Sequence, residues 1–346
     1  MKVGILTFHE GINHGAYMQA FSTYQFLLQN GYDAEIINYK NRTHYLFELK
    51  AFLVKKNPLH ILQNIKKIRA FKEDHSSMNL GKMLFDRRKL IGKYDAIVVG
   101  SDIVWNFKSR FLGRDPVYFG KDLEDSKLIS YAPSFGNVNS DDAIPDFVSE
   151  GLQYFSSISV RDINSSNLVK KVIGVEPKIV LDPTFLIDAK PFEQSTGAER
   201  KPYLLVYAYY LRDGEIKSAI AFARKKGLEI ISIGYQNTWA DKNVIALGPF
   251  EWLSYFHHAS FVLTSTFHGT IFSLKYEKNF ATSMNDNIKN KTISLIKHLD
   301  LADRFVEGGD VADVFRQEID YSVINKKLTP LVQDSQEFLL NALGEK

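Results

Sequence analysis

His268 is the side chain whose neighbours best equip it for chemistry. It stands in Ser265-Thr-Phe-His-Gly-Thr270, after the apolar run Phe261-Val-Leu263 and before a stretch with helical spacing. That order reads as strand, tight turn, helix, which sets the imidazole beside the N–H groups of a helix N-terminus, where anions bind. Imidazole donates or accepts a proton near neutral pH without an extreme pKa shift. Ser265, Thr266 and Thr270 add hydroxyls, and Gly269 lets the backbone turn tightly. The plain alternative is a histidine that caps the strand or helix by bonding a carbonyl.

Other polar clusters also follow apolar runs. His9-Glu-Gly-Ile-Asn-His-Gly-Ala16 carries glycines at Gly11 and Gly15 that let a ligand approach the backbone. Its glycine spacing is not the dinucleotide fingerprint, and Glu35 opens rather than closes the next strand, so NAD is not expected. His9, Glu10 and His14 match no metal-binding spacing and read as loop residues. In Gly100-Ser-Asp-Ile-Val-Trp-Asn106, Asp102 could position a hydroxyl and Trp105 could offer a flat face to a sugar, or they are a helix cap and a core tryptophan. Arg161, after Ile158-Ser-Val160, suits a phosphate or carboxylate through its planar fork, or an ion pair with Asp162 or a neighbour.

These clusters need elements to carry them. Val3–Phe8 reads as a strand, Ala16–Leu28 as a helix closed by Asn30-Gly31, and Ala34–Asn38 as a second strand, a βαβ unit with a parallel sheet. Further strands are expected at 94–100, 128–132, 157–160 and 178–181. A second series begins after Pro202, with strands at 203–208, 228–233, 261–263 and 277–282 and helices at 214–226, 249–259 and 290–299. The fold class expected is α/β, as two doubly wound halves joined across Asp188–Lys201, with a ligand cleft between them at the strands' carboxyl ends. The boundaries are 1–190 for the first domain, 201–320 for the second and 321–346 for a terminal helical segment.

Composition sets outer limits. The 346 residues exceed one ordinary core and fit two domains. A net charge of +3 argues against nucleic acid, and the absence of cysteine excludes disulfides, thiolate nucleophiles and Cys-ligated metals. The start, Met-Lys-Val-Gly-Ile-Leu-Thr-Phe-His, is too short in its apolar part for a signal peptide, and no run reaches the roughly 18 apolar residues of a membrane span. A cytoplasmic placement is expected. Lys50, Lys55, Lys56, Lys66, Lys67, Arg69 and Lys72, interleaved with apolar residues, make either an ordinary amphipathic surface or a patch for the inner face of the membrane or a lipid-linked acceptor.

In order along the chain, the clusters resemble the polysaccharide pyruvyl transferase family. The resemblance rests on Asn13-His-Gly-Ala16 with Gln19-Ala20, Val99-Gly-Ser-Asp-Ile-Val-Trp-Asn106, Ser130-Tyr-Ala-Pro-Ser-Phe-Gly136, Ile158-Ser-Val-Arg-Asp162, Leu181-Asp-Pro-Thr184 and Ser265-Thr-Phe-His-Gly-Thr270. It implies two Rossmann-like domains of the GT-B type. It also implies transfer of a pyruvyl group from phosphoenolpyruvate to a sugar of a surface polysaccharide, an exopolysaccharide or its lipid-linked precursor, forming a cyclic ketal and releasing phosphate. In the family an Arg-X-His element lies on the donor and its histidine is the acid/base; His268 matches that histidine, and Arg161 matches an arginine facing the donor. Thr266 stands where the family has the arginine, with Lys275, Lys291 and Arg304 as other cations that could compensate.

The resemblance places Arg161, Ser265, Thr266, Gly269 and Thr270 on the donor, and Asn13, His14, Gly15, Gln19, Ser101, Asp102, Trp105, Asn106 and Ser134 toward the acceptor or the cleft lining. No metal and no cofactor beyond the donor substrate are expected. The rival readings are a GT-B glycosyltransferase using a nucleotide sugar, with Glu251-Trp252 serving the nucleotide, and an inactive glycan-binding relative.

Overall fold

A computed structural model of the chain describes residues 1–9, 12–42, 58–109, 114–196 and 201–344. It divides into two compact units. Unit 1 comprises Met1–Ile61, His75–Ile187 and Thr329–Lys346, and unit 2 comprises Leu62–Asp74 and Asp188–Leu328.

Unit 1 is built on β1 (Lys2–Leu6), α1 (His14–Gln29) and β2 (Asp33–Ile36). Asn13 starts α1, its Oδ1 accepting from the N–H groups of Gly15 and Ala16 at 3.0 and 3.2 Å. α2 (Pro58–His75) opens on the proline that interrupts the basic segment, a residue suited to a first helical position. β3 (Ala96–Val99), β4 (Lys127–Ser130), α3 (Asp146–Leu152), β5 (Phe155–Val160), α4 (Ile163–Ile173) and β6 (Lys178–Ile179) complete the set. The strands pair in parallel in the order β2-β1-β3-β4-β5-β6. Every residue of β3 is buried, as expected of a strand covered on both faces. Strand order reverses between β1 and β3.

Unit 2 repeats the plan with β7 (Tyr203–Tyr207), α5 (Asp213–Lys226), β8 (Glu229–Ile233), β9 (Lys242–Val244), α6 (Pro249–His258), β10 (Phe261–Thr264), α7 (Phe267–Lys275), β11 (Asn279–Ser283), α8 (Asp286–Leu299), β12 (Phe305–Val306) and α9 (Val311–Arg316). Its parallel sheet runs β12-β11-β10-β7-β8-β9, the doubly wound order, and reverses between β7 and β10. The two Rossmann-like domains read from the β–α alternation are therefore present.

α10 (Tyr321–Leu343) belongs to unit 2 up to Leu328 and to unit 1 from Thr329 onward. There the Ser335 Oγ accepts from the Leu181 N–H at 3.0 Å, Asp334 pairs with Lys178 at 2.6 Å, and the Gln336 amide donates to the Leu186 carbonyl at 2.9 Å. Of the basic segment, Lys50, Lys55 and Lys56 lie outside the described residues. On α2, Phe71 and Asp74 are buried while Lys66, Arg69 and Lys72 face outward. Among the described residues no helix is long and apolar enough to cross a membrane.

Candidate active site

The turn between β10 and α7 is held by its own hydroxyls. Thr264 Oγ1 donates to the Tyr207 carbonyl at 2.7 Å and accepts from the Thr266 N–H at 3.1 Å. Thr266 is the N-cap of α7, its hydroxyl accepting from the Gly269 N–H at 3.0 Å. A Cβ at position 269 would stand 2.1 Å from Thr264 Oγ1, so this turn requires glycine. The buried Thr270 hydroxyl donates to the Thr266 carbonyl at 3.1 Å and meets Thr282 Oγ1 at 3.0 Å. Ser265, also buried, accepts from the Tyr209 N–H at 3.2 Å.

The hydroxyls of Ser265, Thr266 and Thr270, expected on the donor, are thus bonded within the turn and to the neighbouring Tyr209 and Thr282. What they present is His268, half-buried in the first turn of α7, with its ring edge-on to Phe267 at 5.3 Å. The strand order of unit 2 reverses beside β10, so the imidazole sits at the carboxyl edge where doubly wound sheets bind ligands.

Unit 1's carboxyl edge is built differently. The buried Gln19 amide donates to Thr7 Oγ1 at 2.9 Å and to the Phe8 carbonyl at 3.0 Å, and its oxygen accepts from the Ser101 N–H at 3.0 Å. The Ser101 hydroxyl donates to the Ala132 carbonyl at 2.8 Å, and Ser134 Oγ accepts from the Gly136 N–H at 3.0 Å. A Cβ on Gly100, at φ +114, would lie 2.4 Å from the Tyr131 carbonyl oxygen. Asn13 caps α1 and is exposed, whereas His14 and Gly15 in its first turn are buried. The Asn106 amide reaches Asn137 Oδ1 at 2.9 Å.

Two expectations about this edge need correcting. Trp105 is 0 % exposed, packed among Phe119, Phe135 and Phe155, with its indole N–H donating to the Tyr118 carbonyl at 2.8 Å. It is a core residue and offers no face to a sugar. Arg161 has a side chain only 1 % exposed, bonded to Asp182 at 2.9 Å and Asp102 at 3.0 Å. Burial would push its pKa down, but Asp102, Asp182 and Asp162 outweigh this and raise it. Its fork answers carboxylates of its own unit rather than waiting for a phosphate. Asp102 holds a left-handed backbone (φ 64), anchored where its carbonyl accepts from the Ser134 N–H at 2.8 Å.

The cations considered for the place of the missing arginine differ in position. Arg304 is buried, donating to the Val314 and Gln317 carbonyls at 3.1 and 2.9 Å and to Asp303. Lys275 lies in the last turn of α7, at the end away from His268, and Lys291 lies on α8. Arg212, which sequence reasoning passed over, is partly exposed on the same carboxyl edge as His268. Its guanidinium donates to Glu215 at 3.1 Å and to the Met284 carbonyl at 3.2 Å, one residue before Asn285. Asn285 in turn donates to the Ser265 carbonyl at 3.2 Å. The signal for Arg212 was its place four residues past the end of an apolar strand, the position that singled out the other clusters.

Trp252, weighed for a nucleotide, is fully buried against Tyr207, Phe256 and Phe272. Burial raises the pKa of the neighbouring Glu251 carboxyl, with Asp74 adding to the effect. Among the described residues no group of three or more His, Asp or Glu could hold a metal ion.

The sequence model for polysaccharide pyruvyl transferases matches residues 13–287, from the cap of α1 through the His268 turn and into α8. The chain belongs to the polysaccharide pyruvyl transferase family. It is accordingly a transferase of polysaccharide biosynthesis. A comparison with curated protein sequences finds no match. Solved structures with a similar fold include a UDP-GlcNAc 2-epimerase from Neisseria meningitidis bound to UDP-GlcNAc, at 11 % identity, TM-score 0.53 and 99 % coverage of both chains. UGT89C1 of Arabidopsis thaliana, complexed with UDP-L-rhamnose, matches at 12 % identity and TM-score 0.51, covering 98 % of this chain and 99 % of that one. At these identities the likeness establishes a GT-B-type fold and nothing about substrate.

Proposed function

We propose that this pyruvyl transferase takes its pyruvyl group from phosphoenolpyruvate and builds a cyclic ketal across two hydroxyls of a sugar in a surface polysaccharide or its lipid-linked precursor, without a metal. The observation that carries the reading is His268 in the first turn of α7, at the reversal point of unit 2's sheet, inside the family match.

The chemistry follows from the donor. An enol ether is attacked once its methylene carbon is protonated, because the resulting cation at C2 is stabilised by oxygen. His268 as imidazolium supplies that proton, and its neutral form takes the proton from an attacking sugar hydroxyl. The first hydroxyl adds to C2, the C2–O bond to phosphate breaks, and the second hydroxyl closes the ketal. Of the two hydroxyl protons, one ends on the new methyl group and the other leaves with phosphate. The helix N-terminus at α7 favours the donor's anionic groups, with Arg212 as the partly exposed cation on the same edge. Asp102 and Arg161 act at a remove, by holding the loops of unit 1 in shape.

The test is incubation with phosphoenolpyruvate and a panel of glycosides, with phosphate release and ketal formation followed together. Both are expected. No phosphate from phosphoenolpyruvate, but nucleoside diphosphate released from a sugar nucleotide, would replace this reading with a glycosyltransferase.

A further inference from the structure

Tyr209 and Tyr210 follow β7 at the reversal point of unit 2's sheet and are 45 % and 54 % exposed. The residues on either side, Ala208 and Leu211, are buried, so the pair projects from an anchored backbone rather than from a loose tip. The anchoring is specific. The Asn237 amide donates to the Ala208 carbonyl at 3.1 Å, and the Tyr209 N–H donates to Ser265 Oγ at 3.2 Å. The Tyr209 hydroxyl donates to Asn285 Oδ1 at 3.1 Å, and the Asn285 amide donates to the Ser265 carbonyl at 3.2 Å. Tyr209, Asn285 and Ser265 thus form a closed ring of hydrogen bonds, three residues before His268.

Tyr235 packs against both Tyr207 and Tyr209, with ring centroids 5.2 and 6.0 Å apart. Burial, then the neighbouring Tyr235, raises the pKa of the Tyr207 phenol, which therefore stays protonated and structural. A single exposed aromatic residue needs no explanation, but two adjacent ones on a backbone bonded to the turn that carries His268 do. Aromatic faces pack against the C–H face of a pyranose while phenol hydroxyls meet its polar rim. A pinned aromatic loop also lowers the entropy lost on binding.

We propose that Tyr209 and Tyr210 are the platform on which the acceptor's sugar ring lies, delivering its hydroxyls toward His268. The proposal rests on the reading of the acceptor as a sugar, and not on the identity of the donor.

The experiment uses the full chain and methyl pyranosides of glucose, galactose, mannose and their N-acetylamino counterparts, with UMP as the competing aromatic ligand. Saturation-transfer NMR without phosphoenolpyruvate is expected to mark the ring protons of at least one glycoside. Tyr210→Ala is expected to weaken that binding about tenfold and Tyr210→Phe to retain it, since the ring and not the hydroxyl does the stacking. Thermal melting should be unchanged in Tyr210→Ala because the side chain is largely exposed. In turnover, the KM for the glycoside should rise about tenfold with the KM for phosphoenolpyruvate unaltered. Glycoside binding indifferent to both Tyr209→Ala and Tyr210→Ala, no glycoside bound at all, or UMP bound to the pair instead overturns the platform. Glycoside binding that depends on Tyr210, with no phosphate released from phosphoenolpyruvate, leaves the platform standing and removes only the donor.

Discussion

The carboxyl edges of the two sheets share a topology and differ in finish. In unit 1 the polar residues at the strand ends are turned inward and bonded to one another: Gln19 to Thr7 and Ser101, Arg161 to Asp102 and Asp182, Ser101 to the Ala132 carbonyl. In unit 2 the hydroxyls are also consumed by the turn, but His268 stays half-buried and Tyr209, Tyr210 and Arg212 reach solvent. The contrast teaches that a polar residue at a strand end is not by that fact a ligand. Its exposure in the fold decides whether it can meet one.

Substitutions can break this contrast. The largest effect is expected at His268, where replacement by Ala should lower kcat about 10²–10⁴-fold, the range for a general acid–base group, while leaving the thermal midpoint in place. Steady-state phosphate release and a melting curve check it, and an active variant would move the reaction centre away from unit 2. Next comes Arg161→Met, which strands two carboxylates and should destabilise unit 1 by about 3–5 kcal/mol, read from urea unfolding. A variant of native stability that binds phosphoenolpyruvate poorly would instead return Arg161 to the donor.

Smaller effects sharpen the picture. Thr266→Ala removes the cap of α7 and should cost about 1 kcal/mol of stability, with a matching fall in kcat if the cap sets the pose of His268. Glu251→Gln should be slightly stabilising at neutral pH. Its carboxyl is raised by burial and by Asp74, so the folded state holds the proton more tightly than the unfolded chain does. That contribution is fully present below the unfolded pKa and is lost as pH rises through the folded one. The variant's advantage in melting temperature should therefore shrink as pH falls into the ordinary carboxylate range.

Much of the fold could be read from periodicity. Apolar runs such as Ala96-Ile-Val-Val99 and Tyr203-Leu-Leu-Val-Tyr207 are strands in the structure, and Gly227 closes a helix as expected, whereas Asn13, read as part of a turn, caps α1, whose first residue His14 lies two before the expected start. The short strands β9 and β12 carried too little pattern to be noticed, whereas helix α4 was overlooked although Asp162 caps its start and Gly174 its end. At the site, the strand-turn-helix around His268 was legible because its signal is local. Trp105 and Arg161 were not resolved between their alternatives, because what surrounds a tryptophan or pairs an arginine is set by residues far along the chain. Asp182 lies 21 positions from Arg161, and Asp102 lies 59. Tyr209 and Tyr210 were hidden for the opposite reason. Two tyrosines just past the expected end of a strand at 208 carry no local signal until their exposure is known.

The division of α10 carries a consequence for how the chain is made. Thr329 and the residues beyond it belong to unit 1, where Ser335 serves the Leu181 N–H and Asp334 the Lys178 ammonium. During synthesis the sheet of unit 1 emerges first, yet these partners leave the ribosome after every strand of unit 2. The first-made domain therefore gains these bonds at β6 only after the second has been translated. Chains truncated before Thr329 should show unit 1 more sensitive to protease than in the full chain.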